Sequence, residues 1–138
     1  MKKILLTITP LLLIVICSKV EGQPQLIQHI KENRDGEIEE IIYYKKTQTR
    51  LEKIKVERYF ENGQKESKET FKDGKRDGLG TWWYENGQKF SEGTYKDGSS
   101  DGLWNYWYEN GEREMERTYK DGEMISSKRW NEDGSEVN

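Results

Sequence analysis

The pentapeptide ENGQK occurs at Glu61–Lys65 and again at Glu85–Lys89, and ENGER follows at Glu109–Arg113. The glycines of these motifs, Gly63, Gly87 and Gly111, are spaced 24 and 24 apart, and Asp73, Asp97 and Asp121 of the recurring KDG keep the same step. DGL at Asp77–Leu79 returns at Asp101–Leu103, and a partial unit closes on NEDGS, where Gly134 follows Gly111 by 23. Repetition this close defines a tandem array, in which each unit packs against the next.

The chemistry of one unit names its shape. Asn-Gly and Asp-Gly pairs supply the positive φ angles of tight hairpin turns. Between them lie QKFSEGTYK and LWNYWYE, rich in the aromatic and Thr residues that suit pleated strands. Each unit therefore reads as two antiparallel strands and two turns. Units laid side by side give an all-β fold, an elongated antiparallel meander sheet of tandem 24-residue hairpin repeats, each adding roughly 9–10 Å of width. Helix is excluded over this region, because a glycine-containing turn every dozen residues or so would break it.

Composition sets how such a sheet can be held. Only 32% of the 138 residues are hydrophobic and 36% are charged, which borders on the disordered class. Aromatics restore the balance at 12%, and nearly all of them fall between Tyr59 and Trp130. A thin core of rings is expected, and a thick one is not. The net charge is −3, and it is more negative without residues 1–22, which hold three lysines and one glutamate. That sign argues against nucleic acid and against a generic anionic membrane surface.

Residues 1–22, MKKILLTITPLLLIVICSKVEG, have a basic start, an apolar run from Ile4 to Cys17 and a short polar exit. The run is short for a membrane span and its flanks are those of a secretory signal, with cleavage before Gln23. Cys17, the only cysteine, also sits where lipoproteins carry their lipidated cysteine, although Ile16 stands where a small residue is usual. An uncleaved anchor is the third alternative. All three place the rest of the chain outside the cytoplasm, in the envelope or secreted, with membrane contact only through the signal or a lipid. No cysteine follows Cys17, so no disulfide can staple the domain.

Residues 23–56 read as divergent N-terminal strands, a cap around a turn at Asn33–Gly36, in which EIEEIIYYKK also admits a helix. The array proper spans residues 57–134, and residues 135–138 form a polar tail. FKDGKRDGLGTWWYENGQK and YKDGSSDGLWNYWYENGEREMERTYKDG resemble the MORN repeat in its bacterial variant form, with Gly74, Gly78 and Gly80, then Gly93, Gly98 and Gly102, on the family's glycines. Trp104 replaces one of them, and after Gly122 the pattern departs, with Ser126 and Lys128 where glycines belong. The resemblance implies a hairpin-repeat scaffold for protein interaction or membrane association. Relatives of this variant are often labelled YwqK-like antitoxins, which implies a toxin as protein partner.

The rings are the candidate binding residues. Trp82-Trp83-Tyr84 aligns with Tyr106-Trp107-Tyr108 at a shift of 24. Strand alternation sends Trp83 and Trp107 to one face and Trp82, Tyr84, Tyr106 and Tyr108 to the other. Most such rings pack across strands, but a sheet without a second layer leaves some accessible; Trp83, Tyr84, Trp107 and Tyr108 are expected to meet a partner. An unknown protein is the expected partner, a toxin in the form the resemblance implies, and an envelope glycan stacked on the rings is the alternative.

Catalytic, metal and cofactor chemistry find little support. Asp73/Asp77 and Asp97/Asp101 flank loops without the alternating oxygen set of a calcium site, so their Asp-Gly pairs read as turn chemistry. His29, the only histidine, reads as packed or solvated. Glu85 and Glu109 recur at turn positions, as scaffold residues do. The alternating charges of Lys65–Lys72 read as a solvated strand face or a guard against edge pairing. No cofactor, no metal and no enzymatic activity are expected.

Overall fold

The computed structural model describes residues 25–137, together with the backbone of 13–16. Cys17 and most of the leader lie outside the described residues. Nine strands run in one unbroken antiparallel meander: β2 (Leu26–Glu32), β3 (Ile38–Lys46), β4 (Leu51–Tyr59), β5 (Lys65–Lys72), β6 (Lys75–Trp83), β7 (Lys89–Lys96), β8 (Ser99–Trp107), β9 (Arg113–Lys120) and β10 (Glu123–Arg129). A four-residue strand β1 (Leu13–Ile16) pairs with β2, Leu13 opposite Ile30 and Ile16 opposite Ile27, and completes a ten-stranded sheet in chain order. The expected all-β meander of hairpin units is the observed fold. Strand β3 settles EIEEIIYYKK as strand, and the boundary expected at residue 57 falls inside β4, so the cap and the array share one sheet. The tail also joins the pattern: Glu136 bridges Trp130, and Val137 N–H donates to the Arg129 carbonyl.

Two kinds of turn alternate along the sheet. The Asp-Gly pairs of the KDG motifs form two-residue turns in which both residues have positive φ, as at Asp73 (48°) and Gly74 (81°), the type I′ geometry that matches strand twist; Asp77-Gly78 and Asp101-Gly102, expected as turns, lie instead within β6 and β8. Asn-Gly does something else. It lies within five-residue loops, where the glycine alone takes positive φ and the asparagine works through its side chain. Asn62, Asn86 and Asn110 Oδ1 accept the N–H two residues on, from Gln64, Gln88 and Glu112. Their Nδ2 groups donate to the next unit's loop, Asn62 to Glu85 O at 2.9 Å, Asn86 to Glu109 O at 3.0 Å and Asn110 to Glu132 O at 3.4 Å. At the opposite edge Gly98 and Gly122 N–H donate to the carbonyls of Arg76 and Ser100 in the preceding unit. Both edges are thus laced from unit to unit.

Among the described residues no second layer covers either face. Val56 and Trp104 are the buried apolar side chains of the described residues, at 2% and 5% exposure. Register places Trp82, Tyr95, Trp104, Tyr106 and Tyr119 on one face, where Trp104 stacks on Trp82 at 5.7 Å and on Tyr106 at 6.3 Å and meets Tyr95 edge-on at 5.0 Å. The indole lies across Gly93, where any Cβ would collide with it. In the first unit Glu69 takes the place that Gly93 holds 24 residues later. It is buried to 1% exposure between Arg58, at 2.9 Å, and Arg76. Strand β5 is therefore interior, with Ser67 and Glu69 buried. The alternating charges of Lys65–Lys72 are not an edge guard, because β4 and β6 flank them on both sides; one face of the strand is solvated through Glu66 and Lys68, while Ser67 and Glu69 are buried on the other.

Gly93 lacks positive φ, so an alanine there suffers only the indole. Gly93→Ala is expected to lower stability in urea by about 1–3 kcal/mol through overpacking. Trp104→Ala should destabilise as well, and the double variant should fall well short of the sum, since removing the ring removes the collision.

Candidate functional site

The four candidate rings are placed by two rules, strand alternation and loop closure. Trp83 and Trp107 end strands β6 and β8 opposite Lys89 and Arg113, on the face away from the Trp104 cluster, and both are half-buried. Tyr84 and Tyr108 lie beyond the strand ends, as first residues of the five-residue loops, so strand alternation does not carry them to the Trp104 face. Their hydroxyls are committed: Tyr84 donates to Trp107 O and Tyr108 to Trp130 O, each at 2.8 Å. Burial, with Glu114 and Glu109 nearby, pushes the Tyr84 hydroxyl above its usual pKa, which keeps it a donor. Phe60 holds the same position in the first unit and has no hydroxyl to offer.

These rings do not form one continuous stripe. Trp83 and Tyr84 come together with Phe60 and Phe90 in an open groove of about 360 Å³, with Glu85 and Glu109 on its rim. Tyr84 meets Phe90 edge-on at 5.2 Å. Trp107 lines a separate recess with Gln88, Lys89 and Gly111, and the Lys89 ammonium stands 5.6 Å from the centre of its ring. Arg113 covers Trp130 in the same way at 5.3 Å. Phe60 and Phe90 are the groove residues that sequence reasoning missed. A signal was present, since Phe90 stands where the sister units carry Glu66 and Glu114. Phe90 breaks the repeat, packs edge-on against Tyr84 at 5.2 Å and Tyr106 at 6.4 Å, and still stays exposed.

Upstream, on the face of Trp83, Glu57 is nearly buried at 6% exposure. It accepts from Tyr43 at 2.8 Å and Tyr59 at 3.2 Å, and pairs with Lys65 at 3.1 Å and Lys55 at 3.4 Å. Burial alone would raise its pKa; the Tyr43 and Lys65 hydrogen bonds and the two ammonium charges overcome this and lower it to about 2. Every group in the cluster is satisfied by another, so it serves cohesion. His29 packs against Tyr44 at 5.0 Å. Asp97 N–H donates to the Asp77 carboxylate at 3.3 Å, which ties the Asp97-Gly98 turn to strand β6 of the preceding unit. Among the described residues no group of His, Cys, Asp and Glu is arranged to hold a metal ion.

An open, one-layer sheet of hairpin units is a repeat scaffold. Residues 54–73, 76–97 and 100–121, together just under half of the chain, each match the family described as MORN repeat variant. The partial unit with Ser126 and Lys128 lies beyond the matched stretches. MORN repeats are generally protein- or membrane-interaction modules and generally non-enzymatic. No curated protein matches the chain at a significant level.

The Glu57 cluster generates a pH prediction. A carboxyl whose pKa falls from 4.5 to about 2 on folding stabilises the fold above pH 4.5, and that contribution drains away as pH falls toward 2. Urea unfolding of the parent chain should weaken across this window, and Glu57→Gln should be destabilised at neutral pH. The difference between the two should shrink steadily below pH 4.5.

Proposed function

We propose that this chain is a non-enzymatic, exported protein-binding module whose partner seats on the groove of Phe60, Trp83, Tyr84 and Phe90. One observation carries the reading. The rings of the Trp104 face stack on one another, and Trp107 and Trp130 lie under cations, whereas the groove holds four aromatic side chains with nothing packed into it. Phe90 is 40% exposed there. Apolar surface of this kind is where interfaces place their anchors. Trp107 and Trp130 are covered by cations, so a glycan would have the groove alone to stack on. Toxin neutralisation is the narrower form of this reading, and growth arrest on deletion of the gene would support it.

Phe90→Glu is the decisive variant, since the sister units carry Glu at this position and fold with it. Chemical cross-linking in envelope extracts followed by mass spectrometry should recover the same protein with the parent chain and with Leu79→Ser, a change at a residue 52% exposed outside the groove. Phe90→Glu should lose that protein while retaining its thermal transition. Equal recovery by all three overturns the reading.

Export has its own test. The mature N-terminus should begin at Gln23, or carry lipid on Cys17, or remain as an uncleaved anchor in the membrane fraction. Cleavage before Gln23 would remove β1 and leave β2 as the sheet edge. An intact chain in the soluble cytoplasm overturns it.

A further inference from the structure

The groove's rim says what kind of protein segment fits it. Four five-residue loops present an exposed glutamate at the second position, Glu61, Glu85, Glu109 and Glu132, and the loop Asn33–Glu37 of the N-terminal cap carries Arg34 there instead. No ion pair joins any of these glutamates to a cation among the described residues, because the nearby cations are engaged elsewhere. Lys65 is held by Glu57, Lys89 by Glu92 and Arg113 by Glu116. The loop carbonyls of Glu85, Glu109 and Glu132 accept the Asn Nδ2 struts, which fixes the spacing of the row.

That spacing is two strands, about 9.4–9.8 Å. A polyproline II segment turns once every three residues at about 3.1 Å each, so side chains on one side of it recur every ~9.3 Å. A β-strand lacks this match, since its third residue points to the opposite face. Aromatic-lined grooves are also the surfaces on which such segments dock. Resting on the groove reading above, we propose that the occupant is an extended, polyproline-II-type segment of a partner protein running along the loop edge. It carries a lysine or arginine at every third residue to face the glutamate row, and its apolar residues enter the groove of Phe60, Trp83, Tyr84 and Phe90.

The test uses the full chain and a labelled peptide of four Pro-Pro-Lys triplets, with fluorescence anisotropy as readout. A control peptide has the same composition with its lysines clustered at one end, and a second replaces each lysine by glutamate. The triplet peptide should bind more tightly than the clustered one by about tenfold, and the glutamate peptide should not bind. The Glu85→Gln/Glu109→Gln pair should weaken binding about fivefold, within the range of two solvated ion pairs. Phe90→Glu should weaken it as well, and added salt should weaken it further. Equal binding of the triplet and clustered peptides overturns the register argument, as does absence of binding. Should cross-linking still recover a protein that Phe90→Glu loses while the triplet peptide fails, the groove reading stands and the basic-segment proposal falls. Failure of both experiments removes both.

Discussion

A one-layer sheet has no interior in the usual sense, so its order must come from bonds made between neighbours within the plane. The backbone ladder supplies part of this, but a ladder alone lets paired strands shear and twist apart at their ends. Here the ends are fastened. Asparagine amides reach from one five-residue loop to the next, tyrosine hydroxyls do the same one residue away, and turn glycines donate backward at the other edge. Each link is a neutral hydrogen bond of modest net strength. Their effect is multiplied because the asparagine link recurs in every unit, and the other two join it in the later units to constrain the same motion.

Between the fastened edges, the faces use two chemistries for the same task. In the later units an indole lies across a glycine and rings stack from strand to strand. In the first unit a buried carboxylate between two guanidinium groups takes the corresponding position, and Arg58 extends the network to Glu40 at 3.1 Å. A buried ion pair is costly to desolvate and severe to break, so it specifies its partners more than it adds stability. Such a network suits the junction between a regular array and a divergent cap, where register matters and sequence symmetry no longer enforces it.

Much of this was legible in the sequence because a repeat reports its own period. Glycine spacing gave the hairpins, their order and the antiparallel sheet, and strand alternation separated Trp82 and Tyr106 from Trp83 and Trp107. What stayed hidden was the second function of residues that already had a first. Asn62 and Asn86 looked like turn formers, and their inter-unit amide bonds cannot be read from a dipeptide. Tyr84 and Tyr108 looked free, because nothing local shows that a loop carbonyl 23 or 22 residues on awaits their hydroxyls. Glu69 looked solvated because its charges alternate with lysines, whereas its strand is interior. The groove was half visible: Trp83 and Tyr84 were expected at a surface, while Phe60 and Phe90 were legible only by comparing units with one another.

The strands pack mainly against those just before and after them in the chain. Such an architecture has no closing contact that must wait for the last residue, so the hairpins can form in succession as the polypeptide emerges, each templating the following one. The same locality makes length an adjustable quantity. Duplication or loss of one unit would add or delete one rung of the molecule and leave the remaining rungs in place, so that the width of the sheet can change in evolution without a new fold.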